Sequence, residues 1–208
     1  MEEVLDLYTR PADPAYPLVC FDETSKQLIG EIAAPLPAQP GQPERYDYVY
    51  VRNGVANLFM FFAPFGNWRH VKVTERRTKA DWACCMRDLV DVHFPTACRI
   101  ILVEDNLNTH NPAALYEVFE PAEAKRILDR LEFHYTPKHG SWLNMAEIEL
   151  SVLSRQCLDQ RIPDPTLLAC KVTDWQDHRN QAQSTMRWRF TTDDARIKLA
   201  RLYPSIDA

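Results

Sequence analysis

The stretch CRIILVEDN, residues 98–106, is a short continuous run of apolar side chains that ends in two acidic residues. Such a run is typical of a central strand of an α/β sheet that is buried on both faces. A second stretch of this kind, PLVCFDET at residues 17–24, also ends in acidic residues. Together they predict an α/β protein in which acidic side chains lie at the ends of two buried strands.

The segment between these two stretches predicts antiparallel strands. Residues 46–54, YDYVYVRNG, and residues 55–66, VANLFMFFAPFG, are rich in the β-branched and aromatic side chains that favour strands. The Asn53-Gly54 pair between them predicts a hairpin turn, because both residues tolerate a positive φ. Residues 67–77, NWRHVKVTERR, offer a third strand.

After residue 77, helical patterns alternate with strand patterns. Thr78 is suited to cap the first of these helices. The expected elements are helices at residues 78–94, 112–119, 121–131, 142–158 and most of 163–200, and a short strand at 131–137. The proline-rich residues 34–46 predict a loop. This order predicts an α/β fold with a mixed sheet flanked by helices. It fits the ribonuclease-H-like architecture, although other mixed α/β folds share it.

The overall composition is that of a globular protein. Hydrophobic residues make up 46% of the chain and charged residues 25%. No stretch approaches the ~20 apolar residues of a membrane helix, and the start MEEVLDLYTR lacks a signal-peptide pattern. The six cysteines contain no CxxC pair, so we expect reduced thiols in the core rather than a zinc site. We therefore expect a cytoplasmic protein with no membrane partner.

The net charge of −5 argues at first sight against DNA binding. Residues 1–40 hold seven acidic and two basic residues, which accounts for the whole imbalance. In the balanced remainder, basic residues concentrate in two groups, which are Arg69, Lys72, Arg76, Arg77 and Lys79, and Arg187, Arg189, Arg196, Lys198 and Arg201. Such runs are usually solvated faces, so charge alone leaves contact with phosphates open.

Asp22 and Asp105 each follow a predicted central strand. Functional side chains concentrate at strand ends, and two converging carboxylates repel each other unless a proton or a cation lies between them. Carboxylate oxygens are ligands that Mg²⁺ prefers, and two such ions ~3.5–4 Å apart support phosphoryl transfer. The two aspartates are therefore candidate metal ligands, although an acid after a strand more often forms a turn or a cap.

A third acid, needed for two metal sites, would come from the helix at residues 142–158. Glu147 and Glu149 both lie on it, and the helical pattern does not separate them. Nor does the pattern separate the two aspartates from their neighbours Glu23 and Glu104. The residues alone thus predict an acidic cluster but do not decide which of these acids belong to it.

Three segments, in this order, resemble the signature of the mariner-like superfamily of DDE transposases, and most of all its bacterial insertion-sequence branch. They are FDET at residues 21–24, LVEDNLNTH at 102–110 and YTPKHGSWLNMAEIELSVLSR at 135–155. The resemblance runs from about Val19 to Gln156. It implies a ribonuclease-H-like fold and a metal-dependent enzyme that cuts DNA at the ends of an insertion sequence and joins it to target DNA.

Matched position by position, the resemblance implies catalytic and metal-binding roles for Asp22, Asp105 and Glu147, with two Mg²⁺ or Mn²⁺ ions as cofactors. Glu147, in LNMAE, stands where the family pattern LNPIE has its glutamate, which favours it over Glu149. The chain departs from that pattern at Met145-Ala146. The 42-residue interval from Asp105 to Glu147 is also longer than is common. Neither departure touches a proposed ligand.

Candidates for contact with DNA are Lys138, His139, Trp142, Arg76, Arg77, Arg187 and Arg189. Trp142 suits stacking on a base, although an aromatic residue at a helix start more often fills a core. Asn106, Asn108 and His110 are candidates for positioning the metal ligands or DNA, with capping of the turn as the alternative.

The expected organisation is a linker at residues 1–18, a catalytic domain at 19–160 and a helical extension at 161–208. The residues before Asp22 leave no room for the N-terminal helix-turn-helix region of such relatives, so we expect weak sequence-specific DNA binding by this chain alone. The resemblance also implies inverted-repeat ends and a TA target as DNA partners, a homodimer, and a place on the bacterial nucleoid. Two other functions stay open. One is a ribonuclease-H-like nuclease without strand transfer, and the other is a non-catalytic remnant that binds a full-length transposase.

Overall fold

The structure is a computed structural model that describes residues 1–33, 36–45 and 47–203. Its centre is a five-stranded sheet with the order β3-β2-β1-β4-β5. The strands are β1 (Leu18–Glu31), β2 (Tyr50–Ala63), β3 (Trp68–Thr74), β4 (Ile100–Glu104) and β5 (Leu131–Tyr135). The first three form an antiparallel meander, and β4 and β5 continue the sheet parallel to β1. The predicted mixed sheet and the buried central position of β4 are confirmed.

The predicted hairpin turn at Asn53-Gly54 is wrong, because β2 runs straight through this pair. The register of the pairing between β1 and β2 shifts between Gln27 and Ile29, so that two residues of β2 oppose one of β1. This arrangement is a β-bulge. Gly54 has a φ of 95°, and a positive φ serves a bulge as well as a turn. Residues 34, 35 and 46 of the predicted proline-rich loop lie outside the described residues.

Helices cover both faces of the sheet. They are α1 (Glu2–Leu7), α2 (Lys79–Asp88), α3 (Ala113–Val118), α4 (Pro121–Leu128), α5 (Met145–Gln156), α6 (Pro165–Gln181) and α7 (Thr192–Lys198). Thr78 caps α2 in a capping box, as predicted. The helix predicted from residue 142 begins later than expected, because Ser141–Leu143 form a 3₁₀ turn and α5 starts at Met145.

The central strands are buried on both faces because alternate side chains feed two separate cores. In β2, Leu58, Met60 and Phe62 belong to one core, and Phe59 and Phe61 belong to the other. Helices α1, α5 and α6 close the first core, whereas α2, α3 and α4 close the second. Each fully buried side chain of this size stabilises the fold by roughly 1.5–3 kcal/mol. The protein is therefore a three-layer α/β/α structure, as its continuous apolar strands predicted.

The two ends of the described chain pack together on the first core. Residues 1–18 contain α1, whose side chains Val4, Leu5 and Leu7 are buried. Arg196 on α7 forms a salt bridge with Glu2 at 2.8 Å. Residues 2–7 of the segment expected to be a linker thus form a helix docked on the first core.

No helix among the described residues is long and apolar enough to cross a membrane. All six cysteines are free, as expected. Cys20, Cys85 and Cys157 are buried, but Cys98 and Cys170 are exposed, so the expectation of core positions holds only in part.

Candidate active site

Asp22 and Asp105 lie side by side at one end of the sheet. Because β1 and β4 are parallel neighbours and Cys20 pairs with Val103, both aspartates come two residues after this last pair. Asp22 remains within β1 and is only 7% exposed, whereas Asp105 follows the end of β4 and its side chain is 27% exposed. The predicted convergence is present, but the expectation that Asp22 ends its strand is wrong, because β1 continues past Asp22 to Glu31.

Glu147 approaches this pair from the first turn of α5. The helix N-terminus, whose unpaired N–H groups carry partial positive charge, is favourable for a carboxylate. Asn144 caps α5, because its Oδ1 accepts a hydrogen bond from Ala146 N at 3.1 Å. Glu147 is exposed, and no Lys, Arg or His within the described part of the chain pairs with it.

The three carboxylates influence one another electrostatically. Burial, followed by repulsion from Glu147 and then from Asp105, raises the pKa of Asp22 from 3.8 to about 7. A hydrogen bond from the backbone N–H of Glu23 opposes this rise. Negative charge has therefore accumulated around Asp22 without a basic partner, and a cation would stabilise its ionised form.

His110 links β1 to the segment after β4. Its Nδ1 lies 2.6 Å from Asp105 Oδ1, and its Nε2 lies 3.0 Å from Glu23 Oε2. Burial by itself lowers the pKa of His110, but its hydrogen bonds to the two carboxylates outweigh burial and raise it to about 10. The imidazolium therefore ties Glu23, within β1, to Asp105, and the positioning role considered for this histidine stays a prediction.

Glu104, the neighbour of Asp105, points away into the second core. It is fully buried, and its Oε2 accepts a hydrogen bond from Trp82 Nε1 at 3.1 Å. Burial raises its pKa to about 8, although the charge of His110 lowers it. Because Glu104 is enclosed by Trp82 and His110, Asp105 is the carboxylate of this pair that reaches the solvent.

Glu149, the alternative to Glu147, is also fully buried. Its Oε1 lies 2.8 Å from the Nε of Arg69 on β3 and 2.8 Å from the Nε of Arg179 on α6. Both of its neighbours are guanidinium groups, so Glu149 is already neutralised. The structure thus separates the two glutamates that the helical pattern left open.

The donor set of Asp22, Asp105 and Glu147 suits a hard divalent cation, since it consists of carboxylate oxygens. Within residues 1–33, 36–45 and 47–203, no group of three or more His, Cys, Asp or Glu is arranged to hold one metal ion. A magnesium ion keeps several waters and needs only one or two carboxylates. The oxygen donors of these residues are therefore of the type that such an ion takes, and the sharing of ions among the three residues stays a prediction.

Four of the predicted DNA-contacting residues are exposed in turns that follow strands. Arg76 and Arg77 follow β3, and Lys138 and His139 follow β5. Both turns lie at the end of the sheet where Asp105 follows β4, because β3 and β5 both run in the direction of β4. In the described portion of the protein, no carboxylate forms a salt bridge with any of these side chains.

Trp142, Arg187 and Arg189 lie together beside the start of α5. The Trp142 ring is 42% exposed and stacks on Trp188, with the ring centroids 6.3 Å apart and the planes inclined by 13°. Inward residues of this tail, such as Trp188 and Phe190, pack on the first core, and Arg187 and Arg189 between them are exposed. The tail thus carries two arginines next to the helix of Glu147.

Other basic residues of the two sequence groups serve the fold. Arg69 is fully buried against Glu149, Lys72 pairs with Asp88 at 2.6 Å, and Lys79 pairs with Glu117 at 2.8 Å. Arg196 and Lys198 form salt bridges with acidic side chains as well. Arg69, Lys72 and Lys79 of the first group therefore have carboxylate partners, whereas no carboxylate among the described residues forms a salt bridge with Arg76 or Arg77.

Asn144 and Glu23 make contacts with the carboxylate pair that the sequence analysis did not assign. Asn144 is fully buried and donates to Asp22 Oδ2 at 3.2 Å. The signal that could have identified it is its type, since asparagine directly before a helix is a preferred N-cap. Its hydrogen bonds to Phe21 O and Asp22 Oδ2 on β1 leave no local sequence signal, because the partners lie more than 120 residues away along the chain.

A family model described as DDE superfamily endonuclease matches residues 17–168 of the chain. The match includes all five strands, Asp22, Asp105 and Glu147. No curated protein sequence matches the chain.

Three solved structures of Mos1 transposase resemble this fold. The Mos1 mariner paired-end complex with Mn has a TM-score of 0.56 at 18% identity, and the paired-end complex with the left transposon end has 0.57 at 17%. The pre-cleavage Mos1 transpososome has 0.54 at 16%. Each comparison covers 88% of this chain and 55% of the Mos1 chain. The likeness confirms the ribonuclease-H-like fold, and the chain spans about 55% of the length of these relatives.

Proposed function

Because the chain belongs to the DDE superfamily of endonucleases, we propose that it is the catalytic domain of a DNA transposase. Its substrates would be the ends of a mobile element and a target DNA. The observation that carries the proposal is the convergence of Asp22, Asp105 and Glu147 at one sheet end, where no Lys, Arg or His of the described residues pairs with Asp22 and its pKa is raised to about 7. The fold shared with Mos1 transposase complexes supports DNA as the substrate.

In this proposal, Asp22 and Asp105 hold divalent cations between them, and Glu147 completes a second site. Mg²⁺ or Mn²⁺ held there would supply activation of the attacking oxygen and stabilisation of the leaving oxygen of a phosphodiester. The side chains of the protein orient these ligands. His110 restrains Asp105 through its Nδ1 contact, and the backbone N–H of Glu23 holds one oxygen of Asp22. No Ser, Cys or His nucleophile is required.

The exposed basic side chains around this end of the sheet would bind the DNA backbone. Arg76, Arg77 and Lys138 lie in turns at the same sheet end, and Arg187 and Arg189 flank the start of α5. Cations without a carboxylate partner are available to neutralise phosphates, whereas paired ones such as Lys79 are not. His139 and the half-exposed ring of Trp142 are further candidate contacts. A second copy of the chain would act on the second element end.

The decisive experiment is nicking of supercoiled plasmid by the purified chain with Mg²⁺ or Mn²⁺. We expect metal-dependent nicking that falls by on the order of 10³-fold in Asp105→Asn, since a metal contributes several kcal/mol to the transition state. Asp91→Asn is the matched control, because Asp91 is exposed and pairs with Arg126 on the opposite side of the fold. Equal nicking by the parent and Asp105→Asn would refute the assignment.

Joining distinguishes a transposase from a nuclease without strand transfer. An oligonucleotide with a free 3′-hydroxyl is incubated with plasmid, and covalent joining is measured on a denaturing gel. Joining that depends on Asp105 supports the transposase. Nicking without joining would favour the simple nuclease instead.

A further inference from the structure

We propose that Asn144 is a positioning residue that holds the carboxylate of Asp22 in a fixed relation to Glu147. Asn144 is fully buried at the junction between the 3₁₀ turn and α5. Its amide group donates to Phe21 O at 2.8 Å and to Asp22 Oδ2 at 3.2 Å, and its Oδ1 accepts from Ala146 N at 3.1 Å. One side chain thus joins β1 to the first turn of α5. This inference rests on the proposed function of the carboxylate site.

Asn144 also contacts Glu147 directly through its backbone, because Glu147 N donates to Asn144 O at 3.1 Å. The other oxygen of Asp22, Oδ1, accepts from Glu23 N at 2.8 Å. Both oxygens of the Asp22 carboxylate are therefore held, one by its own strand and one by the residue that starts α5. A change at Asn144 would free Asp22 Oδ2 and loosen the start of the helix that carries Glu147.

The other side-chain caps of this protein show that capping a helix does not require these contacts. Thr78, Asp164 and Thr191 cap α2, α6 and α7, and all three residues are exposed. The hydrogen bonds of these caps stay within their own helices. Serine, threonine and aspartate supply an acceptor as asparagine does, but they lack the amide donors. The asparagine is therefore matched to the double contact with β1.

Tyr8 supports the same junction from the other side. Its hydroxyl donates to Leu143 O at 2.6 Å, directly before Asn144, and its ring lies 5.1 Å from that of Trp188. The junction is thus held between α1, the C-terminal tail and β1. This packing restricts the conformations open to the Asn144 side chain, which favours a role in positioning the Asp22 carboxylate.

The test compares Asn144→Ser with Asp164→Ala in the full chain. Serine caps a helix about as well as asparagine but does not carry the amide donors to Phe21 O and Asp22 Oδ2. Asp164→Ala removes a helix cap far from the carboxylates and serves as the control for lost stability. Thermal unfolding, DNA affinity and the single-turnover nicking rate with Mn²⁺ are measured for both variants.

We expect Asn144→Ser to nick about 10²-fold more slowly while its DNA affinity changes less than twofold, because small displacements of catalytic groups have effects of this size. Asp164→Ala should lose roughly 3 °C in Tm but keep the parent nicking rate. A rate within threefold of the parent in Asn144→Ser, or an equal loss in Asp164→Ala, overturns the proposal. If Asn144→Ser does not fold, Asn144→Asp, which keeps the size and the cap acceptor, is measured in its place.

Amide hydrogen exchange of the metal-free protein supplies a readout that does not depend on activity. In Asn144→Ser, the amides of Glu23 and Glu147 should exchange faster, while those of Ala146, whose cap acceptor serine keeps, and of β5 do not change. If the parent itself does not nick DNA, the proposed function fails, and this exchange pattern alone decides the role of Asn144. Unchanged exchange at the amides of Glu23 and Glu147 would then overturn it.

Discussion

Two glutamates on α5, only two residues apart, have opposite surroundings. Glu149 is fully buried between the guanidinium groups of Arg69 and Arg179. Glu147 points about 200° away around the helix, is exposed, and adds its negative charge to that of Asp22. One helix therefore carries a structural acid, already neutralised by the fold, and an acid that remains available for a cation.

This contrast predicts different consequences when each of the two acids is removed. Glu149 connects α5 to β3 and α6, and removal of one member of such a buried ionic group leaves the remaining charges without compensation. Glu147 contributes no such connection among the described residues. We therefore expect a loss of activity without a loss of stability at Glu147, and a loss of stability at Glu149.

The largest expected effect is on catalysis by Glu147→Gln. Nicking of plasmid with Mn²⁺ should fall by on the order of 10³-fold, because a ligand of the second ion is lost. The Tm should stay within about 2 °C of the parent, since Glu147 is exposed and unpaired. Glu117→Gln is the control, as Glu117 is exposed and forms a salt bridge with the exposed Lys79. Full activity in Glu147→Gln would remove it from the proposed site.

The next effect is on folding by Glu149→Gln. Loss of this carboxylate leaves Arg69 and Arg179 facing each other, so the free energy of unfolding should fall by about 3–5 kcal/mol. This corresponds to a Tm lowered by roughly 10 °C in a chain of this size. Thermal denaturation followed by circular dichroism measures it. If Glu149→Gln were as stable as Glu117→Gln, the structural assignment would be wrong.

A smaller effect is expected from the metal itself. Mn²⁺ at about 100 times its Kd should stabilise the parent by about 2.7 kcal/mol, because it binds the folded state. The double variant Asp22→Asn with Asp105→Asn should show no such shift in Tm, and EDTA should reverse the shift in the parent. A shift that persists in the double variant would indicate that the metal binds elsewhere.

The smallest effect concerns a pair of half-buried histidines. The rings of His70 and His93 lie 4.4 Å apart. Burial and then the charge of His70 lower the pKa of His93 from 6.5 to about 4, with Asp88 opposing this fall and Lys72 adding to it. Burial and Lys72 also lower the pKa of His70, against Asp88 and Asp177.

Because the folded state of this pair disfavours protonation, its contribution to stability is present above pH 6.5 and is lost as the pH falls towards 4. After allowance for partial solvent exposure, we expect about 1–2 kcal/mol. The difference in free energy of unfolding between the parent and His93→Gln, measured by urea denaturation from pH 7 to 4, isolates this pair from other titrating groups. A pH-independent difference would contradict the expectation.

Local patterns predicted the elements that depend on local physics. The apolar runs before Asp22 and Asp105 identified two central strands, because a strand buried on both faces has no polar alternation. The Thr78 cap followed from the same local rules. Asn53-Gly54 was misinterpreted because a bulge and a hairpin make the same local demand for a positive φ. Only the pairing of β2 with β1 distinguishes a bulge from a hairpin turn at this position.

The candidate site was predicted less completely than the fold. Asp22, Asp105 and Glu147 were named from strand ends and from a family resemblance, and their catalytic roles stay a prediction. The DNA contacts also stay predictions, as does the division of the chain into residues 1–18, 19–160 and 161–208. Asn144 was not assigned, because its donors reach a strand more than 120 residues away.

By itself, the sequence determined the order of the elements, the double burial of the central strands and the acids that follow their apolar runs, since each follows from neighbouring residues. The tertiary structure alone decided which acids lie together and which are enclosed in the core. Glu104 lies under Trp82 and His110, and Glu149 lies between two arginines, whereas Asp22, Asp105 and Glu147 face one another. The physical reason is that the charge state of a carboxylate depends on the groups within a few ångströms of it, and here those groups come from distant parts of the chain.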